Sequence, residues 1–271
     1  MALNATKLNK NTVDFACYIA NLSHSKLTAI FIEKTESREK LETKKTFALT
    51  AEESGSLPGI VEWQKNLETN KKLFHDACSN RGTNCSINHQ QYLSAEEFIL
   101  ETRFADLVII DPETSYEHDN ETAPTHFTRS ITTNSECPVI LVPYSFEAIE
   151  EIVFAYDGSK SSVFAIKQFM HILPELNSLP VTVVQVSSKD EDVLNEEDKI
   201  SGLLQSHFSE IKYENLWGKP ADELFGYLLN KVNVFVVMGA YGRGILTSSF
   251  KHSTADLILK AINLPIFITH F

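Results

Sequence analysis

Short apolar runs alternate with amphipathic stretches along the second half of the chain. Apolar, β-branched runs at 151–156, 180–186 and 232–238, and a weaker one at 211–216, predict strands. The stretches between them carry apolar residues at helical spacing, namely Val163, Ile166, Met170 and Leu173, then Ile200, Leu203, Leu204 and Phe208, then Leu224, Phe225, Leu228 and Leu229. With a helix at 255–262 and a last strand after Pro265, the order is β-α-β-α-β-α-β-α-β. This order predicts an α/β fold whose parallel sheet is covered by helices on both faces.

The first half follows the same order with interruptions. Helices are predicted at 11–22, from Ile60 to Ala77 and around Phe98, and strands at 26–32 and 84–88. A polar insertion at 33–58 has no clear periodicity. Only residues 1–3 remain for the first strand, so either that strand is lost or the chain starts late.

An internal repeat explains why the halves share one plan. Residues 105–111 resemble 232–238, and 137–142 resemble 264–269, both at an offset of 127 residues. We therefore expect a tandem duplication of doubly wound domains, 1–146 and 147–271, the first with a degenerate site. The apolar last strand would be a pairing hazard if it were exposed. Its natural partner is its own counterpart at 139–142, which would give an intramolecular pseudo-dimer.

The candidate chemistry lies at the end of the run 234–238. Gly239, Gly242 and Gly244 follow this strand, and Ser253 or Thr254 can cap the helix at 255–262. A strand, a glycine loop and a helix N-terminus in this order suit a phosphate. The sequence has neither the Walker pattern nor the G-x-G-x-x-G fingerprint. The alternative is that the glycines only turn the chain.

Composition narrows the classes of partner. A hydrophobic content of 43% and a charged content of 22% are typical of a globular protein. The formal net charge of −12 argues against nucleic acid and anionic membranes as partners. No apolar run is long enough for a bilayer and no signal-peptide core is present, so we expect a cytoplasmic protein. Cys17, Cys78, Cys85 and Cys137 lack C-x-x-C spacing, which favours small buried residues over disulfides or a zinc site.

These features resemble the universal stress protein family in its tandem-domain form. The family's G-x2-G-x9-G-(S/T) loop corresponds to Gly239, Gly242 and His252-Ser253. The aspartate that closes the first strand corresponds to Asp157, and the proline before the last strand corresponds to Pro265, with Pro138 in the repeat. The resemblance covers nearly the whole chain in element order and is specific in the second half. It implies a Rossmann-like fold of the adenine-nucleotide α-hydrolase type.

The resemblance also implies a ligand and a set of site residues. In ATP-binding members the aspartate and the end of the second strand hold adenine, and the loop glycines and following hydroxyls hold ribose and phosphates. Carried over by position, these residues are Asp157, Val186, Met238, Gly239, Gly242, Ser253 and Thr254. The implied cofactor is ATP, and Mg²⁺ would accompany only the nucleotide.

One departure from the family pattern bears on that ligand. The third family glycine is His252 in this chain, whose ring would occupy space beside the phosphates. A protonated His252 could instead donate to a phosphate, with Arg243 or Lys251 adding charge-assisted contacts beside Gly244. Obstruction and assistance both remain open at this point.

The first half departs further from the pattern. Asp111-Pro112 replaces Met238-Gly239, Ser115 replaces Gly242, and Thr125-His126 replaces His252-Ser253. Proline removes a backbone donor, and Asp111 with Glu113 places negative charge where a phosphate would sit. We therefore expect no triphosphate in this half. His118, Asp119 and His126 are better explained as loop polar residues than as metal ligands.

The leading hypothesis is a regulatory protein that responds to ATP bound by its second half. The alternative is a nucleotide-free scaffold or interaction module, and a slow ATPase is a third. The sequence has no nucleophile elbow, no metal-ligand pair at helical spacing and no Walker lysine, so we do not expect an enzyme. Ser159 is better explained as a helix cap than as a nucleophile. Further homodimerisation is left open.

Overall fold

The computed structural model describes residues 1–5, 7–32, 58–88, 94–116, 121–187, 196–240 and 263–270. Its strands are β1 (Ala2–Asn4), β2 (Leu27–Ile32), β3 (Cys85–Asn88), β4 (Val108–Ile110), β5 (Val139–Leu141), β6 (Glu151–Ala155), β7 (Val181–Ser187), β8 (Ile211–Trp217), β9 (Val234–Gly239) and β10 (Ile266–Thr269). Its helices are α1 (Lys10–Leu22), α2 (Pro58–Asn80), α3 (Ala95–Thr102), α4 (His126–Asn134), α5 (Lys160–Ile172), α6 (Glu197–Gln205) and α7 (Pro220–Leu229), with a 3-10 turn at Pro174–Ser178.

The strands form one ten-stranded sheet in the order β3-β2-β1-β4-β5-β10-β9-β6-β7-β8. Each half contributes five strands in the same doubly wound order, and neighbours within a half run parallel. β5 and β10 pair antiparallel at the junction. The predicted α/β fold is confirmed, and so is the pairing of the two last strands.

Helices cover the two faces of the sheet because each strand is apolar on both sides. On one face lies a core cluster that includes Phe15 of α1, Phe74 of α2, Phe169 of α5 and Leu204 of α6. The cluster on the other face takes its helical members from α3, α4 and α7, among them Phe98, Ile131 and Leu228. Each cluster contains residues of both halves, so the core is continuous through the junction.

The first strand of the first half is present. In β1, Ala2 pairs with Ile30 of β2 on one side and with Ile110 of β4 on the other. The suggestion that this strand is lost is therefore wrong. A run of three residues is too short to show a period, which is why its sequence carried no strand signal.

Leu229 corrects the prediction for the helix that begins at Pro220. Leu224 and Leu228 are buried as expected, but Leu229 is 49% exposed. Residues four apart stay on one helical stripe, whereas the next residue is rotated by about 100° away from it. Phe208 follows the end of α6 yet is buried, as predicted. The predicted helix at 255–262 and all but the last residue of the polar insertion 33–58 lie outside the described residues.

Candidate functional site

The candidate site lies where the strand order reverses in the second half. β6 and β9 pair directly, with Phe154 opposite Val237, and the chain then continues to β7 on one side and β10 on the other. Asp157 follows the carboxyl end of β6, and Gly239 is the last residue of β9. Open α/β sheets bind their ligands in the crevice at such a reversal.

A tight turn joins Asp157 to the start of α5. The backbone N–H of Ser159 donates to Oδ1 of Asp157 at 2.9 Å, and Gly158 adopts a φ of +73°. The Ser159 hydroxyl then accepts from the backbone N–H of Ser162 at 3.2 Å, which makes it the N-cap of α5. The prediction that Ser159 caps a helix is confirmed, and the cap places the helix N-terminus beside the end of β6.

Gly239 is in close contact with that helix N-terminus. A Cβ at this position would lie 2.4 Å from Oγ of Ser161 and 2.7 Å from its carbonyl carbon. Real Cβ atoms do not approach other atoms this closely, so α5 packs on β9 only because residue 239 lacks a side chain. Helix–strand packing therefore gives Gly239 a structural role that is independent of any ligand.

Two buried hydroxyls flank Gly239 without a partner among the residues that the structure describes. They are Oγ of Ser161 on α5 and Oγ1 of Thr269, the residue that pairs with Gly239 from β10. Both side chains are at least nine-tenths buried. Sequence reasoning did not single out either residue. The pairing of Thr269 with Gly239 depends on the register between β9 and β10, which the sequence does not show.

At the corresponding end of the first half, a hydrogen-bonded carboxylate stands at the edge of the sheet. Asp111 follows β4, and its Oδ2 accepts from Asn9 Nδ2 at 2.6 Å and from Thr12 Oγ1 at 2.7 Å. Its Oδ1 accepts from the backbone N–H of Glu113 at 2.8 Å. Asp111 is 8% exposed, so a largely buried carboxylate occupies this edge and ties β4 to the start of α1. A cavity of about 280 Å³ beside it is lined in part by Lys7.

The comparisons with known proteins agree with this architecture. No protein-family model matches the sequence. A universal stress protein from Synechocystis is 26% identical over 131 residues, which is 48% of this chain and 45% of that relative. The structure of a universal stress protein from Archaeoglobus fulgidus matches with a TM-score of 0.69 at 12% identity, over 99% of this chain and 96% of the other. The chain therefore has the universal stress protein fold, in two tandem repeats.

A nucleotide complex also appears among the matches to this universal stress protein fold. The structure of a universal stress protein in complex with cAMP aligns with 46% of this chain and 99% of the other, at 16% identity. Its TM-score of 0.34 is too low to bear on which ligand this chain binds.

The universal stress protein fold places four of the predicted site residues at one edge of the sheet. Asp157 and Gly239 leave neighbouring strands, and Val186 lies half-buried near the end of β7. The side chain of Met238 is buried in the core on the face opposite to α5, so only its backbone can line a site there. The other predicted residues, Gly242, Arg243, Gly244, His252, Ser253 and Thr254, lie outside the described residues and stay predictions.

The first repeat supplies a counterpart for part of that stretch. At the offset of 127 residues, α4 corresponds to 253–261, and Thr125 corresponds to His252. Thr125 caps α4 by accepting from the backbone N–H of Thr128 at 3.1 Å. A capped helix therefore does follow the fourth strand in the first half of this universal stress protein fold.

The structure adds two findings on metals and membranes. Among the described residues, no group of three or more histidine, cysteine or acidic side chains is arranged to hold a metal ion. The His126 side chain is 90% exposed, and His118 and Asp119 lie outside the described ranges. None of the helices in the described ranges combines the length and the apolarity needed to cross a membrane.

Proposed function

We propose that the second half, 147–271, binds an adenine nucleotide, ATP, and that binding changes a regulatory surface of the protein. The site would lie at the carboxyl ends of β6 and β9. Asp157 would contact the base, the backbone that begins at Gly239 would carry the loop around the phosphates, and Ser253 and Thr254 would donate to them. Mg²⁺ would enter only with the nucleotide.

The observation that carries this proposal is the position of Gly239 and Asp157. They leave adjacent strands at the point where the strand order reverses, and the glycine loop continues directly from Gly239. The capped N-terminus of α5 lies at the same edge, and helix N-termini favour negative charge through their N–H groups and dipole. By contrast, the first half has the Asp111 carboxylate at its equivalent edge.

A nucleotide-free scaffold is the second candidate, and a specific observation favours it. Packing against Ser161 already accounts for Gly239, so this glycine does not require a ligand. The antiparallel pairing of β5 with β10 also holds the two repeats in a fixed register, as a scaffold requires. On this alternative His252 would occupy the space of a phosphate.

Equilibrium dialysis with labelled ATP and Mg²⁺ separates these candidates. We expect one ATP per chain, and Asp157→Asn should weaken binding about tenfold because it removes a charge while keeping an oxygen for the Ser159 turn. The matched control is Asn4→Ala, which changes a polar residue at the carboxyl end of β1 in the first half and should leave the affinity unchanged. A dissociation constant of about 1 mM corresponds to a binding free energy of only about −4 kcal/mol. If no binding is detected at that concentration of ATP, the nucleotide-free scaffold is the candidate that remains.

A slow ATPase is the third candidate, and phosphate release from bound ATP tests it. We expect turnover well below the usual range of about 1 per second or more, since no group at the site was identified as a nucleophile or base. A fast rate that survives Ser253→Ala and Asp157→Asn would place the activity elsewhere in the chain.

A further inference from the structure

Three cysteines that are far apart in the sequence converge in the first half. Cys17 lies on α1, Cys78 lies near the end of α2, and Cys85 begins β3. The Sγ atoms of Cys17 and Cys78 are 3.7 Å apart, and both side chains are fully buried. The Cys85 thiol is half-buried and lies within hydrogen-bonding reach of Cys78. Cys17 and Cys78 are buried as the sequence predicts, but the sequence did not indicate that these cysteines meet.

The electrostatics of the cluster separate the roles of its members. A hydrogen bond from Cys78 lowers the pKa of the Cys17 thiol to about 7 against the opposing effect of burial, and Arg81 lowers it further. The same hydrogen bond, together with burial, raises the pKa of Cys78. Of the two buried sulfurs, Cys17 is thus the one that carries thiolate character, and a thiolate is the form that attacks a disulfide.

A structural metal does not account for the cluster. Within the described ranges no group of three potential ligands is arranged around a common point.

The two buried sulfurs are close enough to form a disulfide. Bonded sulfurs lie about 2.05 Å apart, so Cys17 and Cys78 need to approach by less than about 2 Å. Side-chain rotation within a contact between two helices covers such a distance.

We propose that Cys17, Cys78 and Cys85 form a site that reacts with hydroperoxides and retains the oxidation as a disulfide between Cys17 and Cys78. The proposal is independent of nucleotide binding, because the cluster lies in the first half among α1, α2 and β3. Cys85 is partly exposed, whereas Cys17 and Cys78 are fully buried, so Cys85 is the member of the cluster that a hydroperoxide meets first.

The steps balance without any further reactant. The Cys85 thiol attacks the hydroperoxide: an S–O bond forms as the O–O bond breaks, and the thiol proton goes to the leaving oxygen, which gives a cysteine sulfenic acid and water or an alcohol. The Cys78 thiol displaces the sulfenic oxygen as water and forms a disulfide with Cys85. The Cys17 thiolate then attacks Sγ of Cys78 and releases the Cys85 thiol. In sum, two thiols and one hydroperoxide give one disulfide, one water and one alcohol. With hydrogen peroxide the alcohol is replaced by a second water.

The test treats the full chain with hydrogen peroxide and maps the thiols. After oxidation, denaturation in acid and alkylation, we expect two of the four thiols to be lost and a peptide pair joining Cys17 to Cys78. Cys137 should be recovered as a free thiol, because burial raises its pKa to about 11 and its sulfur lies beside Ser135 rather than another cysteine. Dithiothreitol should restore all four thiols.

Three alanine variants test the order of the steps. Cys85→Ala should slow the loss of thiols at least several-fold, and Cys17→Ala should stop the reaction at a Cys78–Cys85 disulfide. Cys137→Ala is the matched control and should behave like the wild type. Urea unfolding of each variant checks that it is folded, and the wild-type map stands without them. Oxidation of Cys137 as fast as the others, or Cys85 reaching sulfinic acid while Cys17 and Cys78 stay reduced, would overturn the proposal.

Discussion

Ile140 of β5 and Phe267 of β10 pair directly with each other, and they occupy the same position in the two repeats. The separation between them is the repeat offset of 127 residues. The flanking pairs, Leu141 with Ile266 and Val139 with Ile268, exchange equivalent positions. The local two-fold axis of the duplication therefore passes between Ile140 and Phe267, and the two halves join as two copies of one surface.

Phe267→Ala should strongly destabilise the protein. Phe267 is fully buried, and its ring meets Phe169 edge-on with centroids 5.4 Å apart. Truncation leaves a cavity at the junction and should lower the free energy of unfolding by about 3–5 kcal/mol in urea denaturation. Phe104→Ala is the matched control, since Phe104 is 85% exposed and its loss should cost less than about 0.5 kcal/mol. Equal costs for both variants would contradict the buried junction.

The junction could be predicted from the sequence because each of its two strands carries a recognisable apolar pattern. Two apolar strands at one offset identify equivalent elements, and an unpaired apolar edge strand is unfavourable, so each last strand predicts the other as its partner. β1 carried no comparable signal, since Ala2–Asn4 is too short to show alternation.

The close contacts could not be predicted, because they depend on how helices approach the sheet. Ser161 meets Gly239 only once α5 has packed on β9, and no spacing in the sequence encodes that distance. Cys17 and Cys78 are 61 residues apart in the chain, so only the contact between α1 and α2 brings their sulfurs together. The sequence singled out Gly239 as a residue of a phosphate loop, which stays a prediction, and it gave no sign of the helix packing that the structure shows at this glycine.

Gly239→Ala should lower stability in the absence of any nucleotide. The added Cβ would meet the backbone of Ser161, which cannot rotate away, so we expect a cost of about 1–3 kcal/mol from overpacking. Gly226→Ala is the matched control, because a Cβ there meets nothing within 4 Å and lies inside α7. That variant should gain about 0.5–1 kcal/mol from helix propensity. Urea denaturation without ligand measures both, and a neutral Gly239→Ala would contradict the packing role.

Asp111→Ala should destabilise the first half without changing the affinity for ATP. Its loss leaves the Asn9 amide and the Thr12 hydroxyl without their acceptor, at a cost of about 2–3 kcal/mol. Asp106→Ala removes an exposed carboxylate just before β4 and should change the free energy of unfolding by less than about 0.5 kcal/mol. Urea denaturation compares the two variants. If Asp111→Ala unfolded like the control, the buried carboxylate would have no structural role.

Glu151 should make stability depend on pH on the acid side. Burial disfavours its charge, but hydrogen bonds from Thr182 at 2.7 Å and Lys231 at 3.0 Å outweigh burial and hold the pKa of Glu151 below its ordinary value of 4.5. Because the pKa is lower in the folded state, the ionised carboxylate stabilises the fold above that ordinary value. The stabilisation is lost as the pH falls through the folded-state pKa.

Glu151→Gln isolates this contribution. Near neutral pH the variant should be less stable than the wild type by about 1 kcal/mol, a modest value because the Lys231 and Glu151 side chains are 29% and 24% exposed. Towards about pH 3 the difference should shrink, since the wild-type carboxyl is then neutral as well. Glu150→Gln changes the exposed neighbouring carboxylate and should follow the wild-type profile. Urea denaturation across this pH range provides the measurement, and a constant gap between wild type and Glu151→Gln would show that the ion pair does not set the acid dependence.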